Sequence, residues 1–132
     1  MTDAETRSLA GHWRVDRLRS PHESLGPPLE GSAIAVIFDG AGNVMGNAGC
    51  NSYRGSCRVD VDRITFDTLA TTRRMCLRPP GVMEQESRFL GFLTGTVGYS
   101  FGVEGTLILL DRTGTPLVEM SRRDEEATDV DG

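Results

Sequence analysis

Three cysteines (Cys50, Cys57, Cys76) and two histidines (His12, His22) are the side chains of this chain best suited to nucleophilic or metal chemistry. A cysteine nucleophile needs a base within hydrogen-bond reach, so Cys50 could serve only if the fold returned His12 to it. The cysteines are seven and nineteen residues apart, without the C-x-x-C knuckle of a structural zinc site, and no metal is expected. The segment GYSFG at 98–102 matches the G-x-S-x-G elbow in letters. That elbow requires a strand-to-helix turn, whereas Ser100 falls mid-strand between Tyr99 and Phe101. Gly40, Gly42 and Gly46 lack the helix and lysine of a phosphate loop and read as a hairpin turn. Glu84 and Glu86 are two apart on a predicted helix, on different faces, and are expected as solvated charges and not as an acid/base pair. All fourteen basic residues are arginine, which excludes lysine Schiff-base and amine chemistry. No catalytic residue and no cofactor is expected, and the chain is not read as an enzyme.

The cysteine-bearing stretch GNAGCNSYRGSC at 46–57 has the composition of a loop. Its glycines can supply positive φ, and Asn47 and Asn51 can bond nearby backbone, so a self-satisfied corner with Cys50 turned inward is expected. Arg73 is the basic neighbour of interest. Its guanidinium can clip carbonyls of the loop or bind an anion, and the structural role is preferred. Trp13, the single tryptophan, is expected in the core.

Around these residues the patterning is period-2. Trp13 and Val15 alternate with polar neighbours, as do Ile34, Val36 and Phe38 before the turn at 39–42. Val59, Val61, Ile64 and Phe66 form another such pair of runs. Tyr99, Phe101 and Val103 lead to Leu107 and Leu109, and a turn at 111–114 leads to 117–120. One segment differs: after Pro79 and Pro80, Val82, Met83, Glu86, Phe89, Leu90 and Leu93 recur at helical spacing, predicting a helix at about 80–94 with Phe89, Leu90 and Leu93 inward. Residues 20–31 read as a Pro/Gly-rich loop. The fold class is therefore mainly β, an antiparallel meander curled into a small barrel or half barrel and packed by one helix.

At 132 residues the chain suits one domain at about 9–122, between a flexible N-terminus (1–8) and an acidic disordered tail (123–132). The net charge of −5 equals the five acids beyond residue 123, so the body is neutral. Nucleic acid and membrane surfaces are therefore poor partners, and a monomer is expected. The N-terminus lacks the apolar run of a secretory signal, so a cytoplasmic setting with free thiols is expected.

The runs GNAGCNSYRG (46–55), LATTRRMC (69–76), VMEQESRFLGF (82–92) and LILLD (107–111) resemble, in order and spacing, the META domain family, which includes the HslJ-like heat-inducible bacterial proteins. The resemblance covers about 9–122. It implies a compact, mainly β domain with a helix, a stress-associated and non-catalytic role, and a protein or small molecule of unknown identity as partner. Its paired motif maps onto Gly49, Cys50, Asn51, Thr72, Arg73 and Cys76 as a structural set. Because Cys50 and Cys76 belong to its two halves they are expected to be neighbours, as buried thiols or as a disulfide. The alternative is a thiol redox sensor using Cys50, Cys57 and Cys76, which requires an exposed thiol whose pKa is lowered by Arg54, Arg73 or Arg74.

Overall fold

Alternation along the chain becomes alternation across a barrel wall. The computed structural model describes residues 9–21 and 24–123, so the expectations for the N-terminus and the acidic tail lie outside the described residues. In β1 (Gly11–Arg19), Trp13, Val15 and Leu18 turn inward, the three-residue step coinciding with an irregularity in pairing between Val15 and Arg17. β3 (Ala35–Phe38) buries Val36 and Phe38, β4 (Asn43–Asn47) Val44, and β5 (Ser52–Asp60) Tyr53, Cys57 and Val59. β6 (Arg63–Phe66), β8 (Gly98–Phe101), β9 (Leu107–Leu110) and β10 (Pro116–Arg122) complete the wall.

These eight strands pair antiparallel in the order β1, β3, β4, β5, β6, β8, β9, β10, and β10 returns to β1 from Trp13↔Arg122 to Leu18↔Val118. The result is a closed barrel, which removes the long sheet edges on which chains associate. Two short strands lie off this circuit. β2 (Leu25–Gly26) pairs with β1 inside the segment expected as loop, and β7 (Ala70–Thr71) pairs with the start of β5. Trp13 is fully buried, as expected; its indole N–H donates to Leu9 O at 2.9 Å and the Arg122 guanidinium lies 4.3 Å from its ring centroid.

Helix α1 (Val82–Gly95) packs on β6 and β10 beside the thinnest seam, where β6 and β8 share the single pair Arg63↔Gly98. It starts two residues later than expected because Gly81, at φ 88°, stands in the left-handed region as its N-cap. Its buried residues are Val82, Gln85, Glu86, Phe89 and Leu93, and Leu90 is only partly covered. Glu86 corrects the expectation of solvated helix charges: Glu84 is exposed, but Glu86 lies on the apolar stripe and is 5% exposed. Ser100 is exposed mid-strand on β8, with no nucleophile elbow. The turn at 39–42 is the β3–β4 hairpin, in which Asp39 accepts bonds from Asn43 Nδ2, Ala41 N and Asn43 N. Those bonds, led by the Asn43 side chain, hold its carboxyl below the usual range.

Candidate functional site

The stretch expected as a loop at 46–57 is mostly strand, and only residues 48–51 turn between β4 and β5. Gly49 adopts φ 124°, a conformation that L side chains rarely reach, and its amide donates to Asn47 Oδ1 at 2.7 Å. Ala48 N donates to Asn51 O at 2.8 Å and closes the turn. This geometry aims successive amides at one acceptor: Cys50 N and Asn51 N both donate to Glu86 Oε1, at 2.8 and 2.7 Å. Asn51 Nδ2 donates to Glu86 Oε2 at 2.7 Å. The turn is built around the carboxylate of α1.

Asn51, 3% exposed, carries the network onward. Its Nδ2 also donates to Arg74 O at 3.0 Å, while its Oδ1 accepts from Arg74 N at 2.6 Å and Thr72 Oγ1 at 2.8 Å. Both hydrogens and both lone pairs of the amide are thereby used, which leaves it no capacity for a ligand. Arg74 donates Nη2 to Cys50 O at 2.8 Å, and Cys50 and Cys76 are joined by a disulfide with Cα atoms 5.9 Å apart. Gly49, Cys50, Asn51, Thr72 and Cys76 are thus brought together. Arg73 is not: its side chain is exposed, and the clip is made by its neighbour Arg74. Glu86 is the member that motif reasoning missed. Burial pushes its carboxyl up, but the bonds from Asn51 and Cys50, with the nearby Arg74 cation, outweigh burial and hold it below its ordinary value.

Cys57, the free cysteine, is buried on β5 opposite Phe66. Burial, reinforced by the charges of Asp39 and Asp67, pushes its thiol up to about 11, the opposite of the lowered pKa that a redox sensor requires. His12 lies on β1 and Cys50 is bridged to Cys76, so Cys50 offers no free thiol, and no three His, Cys, Asp or Glu side chains among the described residues are placed to hold a metal.

Beside the network, on the outer face of the sheet, lies a groove of about 730 Å³. Its floor follows from register: His12, Ile37, Met45, Arg54 and Ala70 are successive cross-strand partners on β1, β3, β4, β5 and β7. The next row runs through Ala35, Asn47 and Ser52 to Thr72, whose amide donates to Ser52 O at 3.0 Å. Gly46 lets the strands approach closely here, because a Cβ on it would lie 2.1 Å from Ala35 O and 2.8 Å from the Tyr53 hydroxyl. β7 forms one wall and is only two residues long. It is held by its two pairs with β5 and by the Thr72, Arg74 and Cys76 attachments that follow it. Among the described residues no helix is long and apolar enough to cross a membrane.

The META domain family model matches residues 7–124. An NMR structure of a protein from Burkholderia xenovorans has the same fold, with a TM-score of 0.70 at 22% identity over 93% of this chain and 89% of its own. A crystal structure of a DUF4847 family protein from Bacteroides vulgatus gives 0.63 at 13% identity, over 91% and 97%. At these identities the likeness is one of fold alone. No curated protein matches the sequence.

Proposed function

Because this chain belongs to the META domain family, we propose that it is a non-catalytic binding module whose ligand, a protein segment or a small molecule, sits in the groove walled by β7. The observation that carries this is a division of labour. The network side chains Asn51, Glu86 and Arg74 spend their polar atoms on one another and on the turn, as structural supports do. The Ser52, Arg54 and Thr71 side chains of the groove make no hydrogen bond or ion pair with other described residues. A volume of about 730 Å³ lies within the range of roughly 300–1,000 Å³ typical of ligand sites.

The test is a fragment mixture titrated into labelled protein and followed by amide and methyl NMR. Shifts at Ile37, Met45, Ser52 and Arg54 are expected; shifts confined to other faces, or none, would sink the assignment. The stress role that the family resemblance implies belongs to the same proposal. A rise in the protein's abundance on heat shock would support it, and an unchanged level would count against it. The bridge bears on compartment: disulfides persist in oxidising settings, and in the cytosol expected from the sequence Cys50 and Cys76 would sit as paired thiols.

A further inference from the structure

We infer that the groove receives a peptide C-terminus, a free carboxylate on an apolar last residue, an inference that rests on the groove being the ligand site. Charge points first to an anion. Of the thirteen residues lining the groove none is acidic, two are arginines (Arg54, Arg123) and one is a histidine (His12), on a body that is neutral as a whole. Arg54 is placed to bind it. It stands on β5 with Met45 on one side and Ala70 on the other, and its guanidinium makes no ion pair with another described residue. A guanidinium offers paired N–H donors that match the two oxygens of a carboxylate.

The apolar residue has its own place. Ile37 and Met45 are adjacent cross-strand partners, half-buried, next to Arg54 in the same row. An apolar side chain laid on them removes the remaining floor from water, and the unbranched Met45 can adjust to its shape. Strands lie about 4.8 Å apart, so the row from Ile37 to Arg54 spans roughly 10 Å, the reach of about three extended residues.

The second row separates a peptide from an acyl chain. Asn47 and Ser52 are cross-strand partners that bring an amide and a hydroxyl to the floor, and Thr71 adds a hydroxyl from the wall. A hydrocarbon tail would strip water from these groups and return no hydrogen bond, which is costly. A main chain supplies its own N–H and C=O groups to them. Capture of a terminal carboxylate by arginine with the last side chain in an apolar depression is a workable mode of peptide recognition.

The experiment uses the full chain with three probes: acetyl-Gly-Leu-Phe as the free acid, the same peptide as its amide, and octanoate. The acid is expected to shift Ile37, Met45, Ser52 and Arg54 in NMR titration and to bind at least about tenfold more tightly than the amide, the worth of one charge-assisted pair. Arg54→Gln should weaken the acid by about the same factor, leave the amide unchanged and keep the wild-type melting temperature. Equal binding of acid and amide, or indifference of the acid to Arg54→Gln, would overturn the carboxylate assignment. Tighter binding of octanoate than of the peptide acid would overturn the peptide. If either assignment is overturned in this way while the amide or neutral fragments still shift the groove, the ligand class alone has failed; if no probe shifts the groove, the binding-site assignment itself has failed.

Discussion

Glu86→Ala is expected to lower the unfolding free energy by about 4 kcal/mol at neutral pH, because it orphans three donors at once, at roughly 1–3 kcal/mol for each buried group left unpaired. Those donors are Cys50 N, Asn51 N and Asn51 Nδ2, on residues no more than 4% exposed. Glu86→Gln keeps an acceptor and the shape of the side chain, and should lose about half as much. The dependence on pH follows from the direction of the shift. The folded carboxyl lies below its ordinary 4.5, since the bonds and the Arg74 cation overcome the opposing effect of burial. Its stabilisation is therefore complete above the unfolded glutamate range and is lost as pH falls through the folded pKa. The acid limb of the stability curve should accordingly be flatter in Glu86→Gln. Urea unfolding across pH reads both effects, and a Glu86→Ala loss below about 1 kcal/mol would show that the turn stands without its carboxylate.

Cutting the Cys50–Cys76 bridge has the second large effect. With a sequence separation of 26 between the two cysteines, the chain-entropy relation gives roughly 3.5 kcal/mol, lost on reduction or in Cys76→Ser. Cys50→Ser should lose a similar amount, and the double variant little more, since either change removes the same bond. Amides of β7 and of 72–78 should then exchange with solvent faster than the rest of the barrel, because the bridge is one of the few attachments of this wall. Thiol counting checks the premise: none reactive in the native protein, one after denaturation (the buried Cys57) and three after reduction. Three thiols in denatured, unreduced protein would remove the bridge from the account.

Much of the barrel was legible because a strand with one buried face must alternate, and Val36–Phe38, Ile64–Phe66 and Leu107–Leu109 do so. The register that closes it was not, since Trp13↔Arg122 pairs the two ends of the described chain and no local pattern encodes that pairing. Val61 and Val103 were read as strand on alternation alone. Val61 instead turns at φ 60° and Val103 opens a short 3₁₀ turn, both exposed. The two-residue strands β2 and β7 are too short for any periodicity to show.

At the site the motif was visible but its phase was not. In an extended segment alternate residues face the same way, so the inward Cys76 selects Arg74 and Thr72 and turns Arg73 outward. Counting from the cysteine would have found the right arginine. Glu86 is likewise legible from its position, four residues from Val82 and three from Phe89 on the buried stripe, and the expectation of a solvated charge fails because place outweighs charge there. The groove had no sequence signal, because its floor is a row assembled from five strands by register.

That the glycine turn is built around a carboxylate is tested most directly by titrating the Glu86 side-chain carboxyl by carbon-13 NMR in the native protein. A midpoint below the ordinary 4.5, with the Cys50 and Asn51 amide shifts moving in step, is the predicted result. A midpoint at or above that value, or loop amides indifferent to it, would contradict the account.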